Sequence, residues 1–414
     1  MLDIGITGES HSKEILIKMR GFGEADIDEQ ALADFMRRRH GDGSALAEAC
    51  STARREPDEV IISREEGVIL AKIENKDVRS GDYDSIRTKL RPGHADLGAF
   101  LKYGAEGLKP GGGEFSGRMS AALCVSGGIA KQILEKRGVT ISAAIDAIGG
   151  VNIAEAGTDA AIDAVKSATA DGDSLGGIVS CRVSGYPGGI GGGWFEGLEG
   201  DLAYAMLGIP SAKGADFGSG INGSAMCGSQ NNDEYFQEDG RIVTHTNNQG
   251  GISGGISTGM DITMRVYFKP VSSIAKPQRT VDISDMSETE ISVGGRHDVC
   301  IVPRVLPVVE AAAAIVLLDR LLDDEEKSTI EELRAEIDAA DRDILDAFAR
   351  RMETSRAIAE YKRKYNLGVC DRQREEYKIK TVRGDAGEEL SGYAEELQDK
   401  LAELSRRYQE EKNR

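Results

Sequence analysis

The chain has no two cysteines close enough in sequence to suggest a zinc site or a disulfide framework; Cys50, Cys124, Cys181, Cys227, Cys300 and Cys370 are scattered singly. A reducing, cytoplasmic setting without a bound metal is the expectation. There is no run of about eighteen apolar residues, and Met1 to Glu14 shows no basic segment followed by an apolar one. Neither a membrane span nor an export signal is expected. Positive charge is scarce: 51 Lys and Arg face 70 Asp and Glu, for a formal net charge of -19. That balance excludes a protein that coats nucleic acid or an anionic membrane, since both are held by basic surface. Any anionic ligand has to be met by a local cluster of Arg and Lys.

Proline and glycine fade towards one end. All nine prolines and 47 of the 51 glycines fall before residue 323; beyond Ser328 there is no proline and there are four glycines. In 414 residues with 40% hydrophobic content, enough for about two or three domains, this shift marks a change of architecture. The boundaries expected are 1–322 for an α+β domain, 323–328 for a short solvated joint at Asp323-Asp324-Glu325-Glu326, and 329–414 for an all-α domain. In the first part, Val179 to Val183 and Ile262 to Tyr267 read as strands, and Met119 to Glu135 and Val305 to Leu322 as helices. In the last, Ile330, Leu333, Ile337, Ala340, Ile344, Ala347 and Phe348 recur at helical spacing behind Ser328 or Thr329 as N-cap. One helix to about Tyr365, ended by Asn366 and Gly368, a second from about Asp371 and a third from about Glu388 make a three-helix unit.

Three glycine-rich loops stand out in the first part: Gly111-Gly112-Gly113, Gly188 to Gly193, and Gly250-Gly251 with Gly254-Gly255. Such loops present backbone N–H groups to phosphates, or they are only tight turns. Around them run Gly8-Glu9-Ser10-His11, Arg54-Arg55-Glu56-Pro57-Asp58, Arg91-Pro92-Gly93-His94-Ala95-Asp96, Gly228-Ser229-Gln230, Lys269-Pro270-Val271-Ser272-Ser273-Ile274 and Gly295-Arg296-His297-Asp298. In this order, across some 320 residues, the strings resemble chorismate synthase.

The resemblance implies a homotetramer of an α+β fold, two sheets sandwiching helices. It also implies a 1,4-elimination of phosphate from 5-enolpyruvylshikimate 3-phosphate, dependent on reduced FMN. By the same resemblance, His11 protonates the leaving phosphate, His94 stabilises charge on the flavin, and Asp298 helps flavin N5 take the ring proton. Arg38, Ser116, Arg118 and Arg296 would hold the substrate. Glu114, Phe115, Ser116, Gly254, Lys269, Ser272, Ser273 and Arg296 would line the flavin. His40 and His245 lie outside the matched strings and read as structural. The chain also departs from the pattern. Glu114-Phe115-Ser116 stands where the family commonly has Arg-Ser-Ser, Ser12 where it has Gly, and Asn247-Asn248-Gln249 where it has Asn-His-Ala. Between Arg39 and Arg54 there is no Lys or Arg, so an expected second substrate-binding arginine is missing, with Arg54 or Arg55 as candidate replacements.

The last part carries cations on helices. Arg351 and Lys362 are eleven residues apart, which returns them to within about 20° of one helix face. Arg334 stands seventeen residues before Arg351, about 25 Å up the axis and turned by about 100°, so it should serve a pocket completed by another chain. A charged dimerisation stalk is the alternative reading of these residues. Together with Arg374 and the Ser405 to Gln409 segment, however, the set resembles the all-helical chorismate mutase, an intertwined dimer. That resemblance implies that Arg334, Arg351 and Arg374 hold carboxylates, that Lys362 and Gln409 meet the ether oxygen, and that Asp371, Glu375 and Ser405 orient the ring hydroxyl.

Overall fold

The computed structural model describes residues 1–10, 12–23, 26–41, 43–51, 57–75, 87–293, 297–368 and 372–413. His11, Arg54, Arg55, Arg296 and Asp371 therefore lie outside the described residues, as does the side chain of Glu375. Two compact units, Met1–Glu325 and Glu326–Arg414, are each described by themselves.

Among the described residues the first unit holds two large antiparallel sheets and three two-stranded ones. One runs Asp3–Thr7, Glu14–Arg20, Val68–Glu74, Val60–Glu65 in spatial order; the other runs Val151–Asn152, Thr140–Ile148, Gly177–Ser184, Ile262–Phe268, Ala212–Phe217. Successive side chains of a strand point to opposite faces. Ile15, Ile17 and Met19, and likewise Ile262, Met264, Val266 and Phe268, are therefore buried while their neighbours are more exposed. The helix Ser120–Lys136 packs against a strand of each sheet, so the layers follow the expected sheet–helix–sheet plan. Against it lies the start of a long helix, whose Val308, Val309 and Ala311 to Ala314 are buried. Gly127 makes that approach possible, because a Cβ there would sit 2.3 Å from Ala311 Cα.

The second unit consists of the remainder of that helix with the helices Arg372–Asp385 and Gly387–Asn413. Asn366 has a φ of 52°, the left-handed conformation that ends a helix. The acidic joint expected at 323–328 is not a loop, and neither Ser328 nor Thr329 is an N-cap: a single helix runs Val302–Lys364 straight through them. Between Pro307 and Gly368 there is neither proline nor glycine, and Ala, Leu, Glu, Lys and Arg abound. With no breaker, helix propagation continues through a charged stretch. Gly127→Ala is expected to destabilise the first unit by about 1–3 kcal/mol through overpacking. Gly98→Ala, in open space within the helix Asp96–Tyr103, should be neutral or slightly stabilising. Thermal unfolding of the two variants measures the difference.

Candidate active sites

In the first unit a cavity of about 540 Å³ collects residues from five of the six matched strings, Gly228-Ser229-Gln230 excepted. Its described lining carries seven Lys and Arg against three Asp, an excess of positive charge inside an acidic chain. One wall is the loop from Arg91 to Asp96. Arg91 grips Asp96 with Nε at 2.8 Å and Nη2 at 2.7 Å, closing the loop on itself. Gly93, with φ 74°, brings its carbonyl to Ser272 Oγ at 2.8 Å and Lys269 Nζ at 2.9 Å. A Cβ at Gly93 would lie 2.8 Å from Ser272 Oγ, so the close approach needs glycine.

His94 is fixed by both ring nitrogens, with Nδ1 3.2 Å from Pro92 O and Nε2 2.9 Å from Ser273 Oγ. A carbonyl can only accept, so Nδ1 of the neutral ring carries the hydrogen and Nε2 accepts from the serine hydroxyl. Burial, and then the nearby Arg91, push its pKa down to about 4.

The opposite wall is built on Asp58. Arg39 Nε donates to Asp58 Oδ2 at 2.9 Å, and Arg118 Nη1 donates to Oδ1. Burial alone would raise the pKa of Asp58, but the two guanidiniums outweigh it and hold the carboxyl below its usual range. Arg118 Nε reaches Asn75 Oδ1 at 3.0 Å, whereas its Nη2, like Ser10 Oγ, is buried in the cavity wall without a partner among the described residues. Beside them Gly111, Gly112 and Gly113 all take positive φ, and Ser116 accepts from the Arg118 backbone at 3.3 Å. Asp298 faces the same cavity and accepts from Arg304 Nη1 at 2.6 Å.

In the second unit the helix faces converge on cations. Burial, and then the positive charge of Arg351 and Arg374, shifts the Lys378 ammonium down. Ser405 and Gln409, one turn apart on the last helix, are both 7% exposed. Arg351 Nε and Gln409 Oε1 are buried without hydrogen-bond partners among the described residues. Arg334 is exposed, amid the exposed apolar residues Ile330, Leu333 and Ile337.

The family model for chorismate synthase matches residues 2–322. The chain belongs to the chorismate synthase family. A second model, chorismate mutase type II, matches residues 333–410, so the chain is a bifunctional shikimate-pathway enzyme with a synthase and a mutase domain. Chorismate synthase of Thermococcus kodakarensis is 38% identical over 346 residues, spanning 78% of this chain and 96% of that protein. Its counterpart in Pyrococcus abyssi is 41% identical over 347 residues with the same coverage. The crystal structure of a chorismate synthase aligns with a TM-score of 0.60 at 24% identity, over 78% of this chain and 92% of that one, and speaks for the fold alone.

Within the synthase, His94, Phe115, Ser116, Arg118, Lys269, Ser272, Ser273 and Asp298 all line the cavity. Arg38 does not. It forms a two-pronged pair with the buried Glu310, both bonds 2.7 Å, and Arg39 is the member of the arginine run that enters the cavity. Glu114 is exposed and Gly254 lies on a separate hairpin; neither lines the cavity. Between Arg39 and Arg54, where a second arginine is expected, the described chain forms the helix Ala45–Cys50, which does not line the cavity, while Lys109, paired with Glu9, brings a cation to it. The sequence carries no separate signal for Arg39, Lys109 or Arg304, and Asp58 stands in it only as the last residue of Arg54-Arg55-Glu56-Pro57-Asp58, yet all four line the cavity. Nor does it single out Lys378 in the mutase, one helical turn from Arg374. His245 stacks on Phe236 at 4.2 Å, and both ring nitrogens of His40 are buried without a hydrogen-bond partner.

His94 has a folded pKa below the ordinary value of 6.5, so the unfolded chain binds its proton first as pH falls. Its contribution to stability is complete above about pH 6.5 and is lost as pH drops towards 4. Thermal midpoints between pH 7.5 and 4.5 should fall less steeply for His94→Gln than for the unsubstituted chain.

Proposed function

We propose that the synthase unit converts 5-enolpyruvylshikimate 3-phosphate to chorismate with reduced FMN, and that the mutase unit rearranges chorismate to prephenate. The observation that carries the first reading is the cation-rich cavity, in which Ser10 Oγ and Arg118 Nη2 have no partner among the described residues. Buried orphans of this kind call for a ligand that completes their hydrogen bonds. The donor set also suits a flavin mononucleotide. Lys213 and Lys269 offer charge to a phosphate, Ser272 and Ser273 offer hydroxyls, and Phe115, Ile209, Val271 and Val305 offer an apolar wall to a planar ring.

When bound, the reduced cofactor supplies an electron-rich ring beside the breaking bond. The chain's own residues do the rest. Arg39, Arg118 and Ser116 hold the anionic groups, and Arg296 joins them by resemblance. His11 gives the departing phosphate its proton. His94, neutral by itself, gains affinity for a proton beside an anionic ring. Asp298 assists removal of the ring proton, and the apolar wall keeps water out.

The second step needs no acid, base or cofactor. Arg334, Arg351 and Arg374 hold the carboxylates, Lys362 and Gln409 stabilise charge on the ether oxygen, and Asp371, Glu375 and Ser405 orient the ring hydroxyl. Two chains complete each mutase site, and the synthase units assemble as a homotetramer in the cytoplasm.

Anaerobic turnover of 5-enolpyruvylshikimate 3-phosphate with chemically reduced FMN tests both steps, with phosphate and prephenate expected to rise together. Arg118→Ala should slow phosphate release by at least about 10²-fold and leave prephenate formation from added chorismate unchanged. Arg351→Ala should do the reverse, with chorismate accumulating. No phosphate release by the unsubstituted chain, with the mutase active, sinks the synthase reading and leaves a flavin-binding unit without that activity. Chorismate accumulating in the unsubstituted chain leaves the helical unit as a sensing or oligomerising module.

A further inference from the structure

We propose that Arg304 is the positioning residue for Asp298, setting its carboxylate against the reacting centre of the synthase. This rests on the reading of Asp298 given above. Arg304 Nη1 donates to Asp298 Oδ2 at 2.6 Å while its Nε donates to the backbone carbonyl of Arg39 at 2.8 Å. One planar guanidinium thus ties the carboxylate to the residue that anchors the opposite, anion-binding wall. Lysine has no such fixed fork.

The place of Arg304 argues for a specific purpose. It is the third residue of the helix Val302–Lys364, where the N-terminal end of the helix dipole disfavours a cation. Two groups of the right sign offset that cost. One is the Asp298 carboxylate. The other is the carbonyl of Arg39, in the turn Arg38–His40 that closes the helix Glu29–Arg37, an end with partial negative charge. Asp298 precedes the helix by four residues and lies in no regular element, so its own backbone does little to fix its direction. Arg304 and Asp298 are both largely shielded and both line the cavity, which makes the pair stiffer than a surface ion pair. The pair would bring the anion-holding wall and the proton-removing carboxylate into one rigid frame.

The test uses the full chain with reduced FMN and compares Arg304→Gln, Arg304→Lys, Asp298→Asn and the double variant Asp298→Asn with Arg304→Gln. Arg304→Gln is expected to lower kcat for phosphate release on the order of 10²-fold. KM for the substrate and Kd for FMN should stay within about 3-fold, the split that marks loss of an interaction made in the transition state. Because Arg304 acts through Asp298, the double variant should be no slower than Asp298→Asn alone. Losses that multiply in the double variant overturn the proposal. So does a rise in KM or Kd with kcat retained, which would make Arg304 a direct anion contact. Arg304→Lys keeps the charge should the glutamine variant fail to fold. It is expected to lose about 10-fold in kcat, and an unchanged kcat overturns the need for a fixed guanidinium. Asp298→Asn measured by itself separates the two levels: full activity there removes the role of Asp298 and Arg304 together. A slow Asp298→Asn beside a fully active Arg304→Gln removes only the role of Arg304.

Discussion

The synthase cavity depends on one buried carboxylate. Asp58 is 3% exposed and sits between Arg39 and Arg118, whose guanidiniums would otherwise repel one another in a poorly solvated wall. One negative charge between two positive ones makes the burial tolerable and still leaves a net positive wall. The same contact ties segments that are remote in sequence: the end of the first helix, the Pro57-Asp58 turn and the entry to the helix Ser120–Lys136, where Arg39 Nη1 also reaches Ser120 Oγ at 2.7 Å. Asp58 adopts a φ of 47°, tolerated by aspartate better than by most residues and held here by two charge-assisted bonds. An arrangement fixed so firmly costs little reorganisation when an anion arrives, which is the property an electrostatic site needs.

The layers were legible because periodicity reports burial directly. Alternation in Ile262 to Tyr267 marks a strand that the structure extends by one residue to Phe268, and one of the three glycine loops, Gly111-Gly112-Gly113, falls at the cavity with residues of five of the six short strings. What could not be read is direction. Arg37, Arg38 and Arg39 are alike in a string, but successive residues of a helical turn point about 100° to 120° apart. Which one enters the cavity was decided by Glu310, a buried partner 272 residues away that accepts Arg38. The acidic stretch at 323 to 326, inside which the two units divide, is helical and not a loop for a related reason. Charge marks solvent contact, and a helix can be fully solvated without ending. Only glycine, proline or a capping geometry stops it, and none of these occurs there.

In the mutase unit the limit is of another kind. A lysine on a helix usually lies on a solvated face; Lys378 is one turn from Arg374 on its own helix, and the fold brings Arg351 near. Arg334, by contrast, remains exposed among Ile330, Leu333 and Ile337, an apolar stripe at helical spacing open to solvent in the single chain. A lone chain leaves both the stripe and the cation unused. Pairing with a second chain satisfies the two at once, so the apolar face and the missing site residue are one argument for a dimer.

The two candidate sites share a design that the overall composition conceals. A chain of net charge -19 repels anions at long range, and salt screens that repulsion beyond about 8–10 Å. Inside each site the balance reverses, because cations cluster where solvent is sparse and their field is screened less. Affinity for an anionic ligand therefore rests on short-range, charge-assisted bonds with fixed geometry, not on the general attraction of a basic surface. Joining the two units fixes their stoichiometry and raises the local concentration of a shared intermediate, without requiring any channel between them. An acidic exterior around cationic sites makes retention of a dianionic intermediate by surface charge a poor design, so any benefit of the fusion must come from capture at the second site competing with diffusion away from the first.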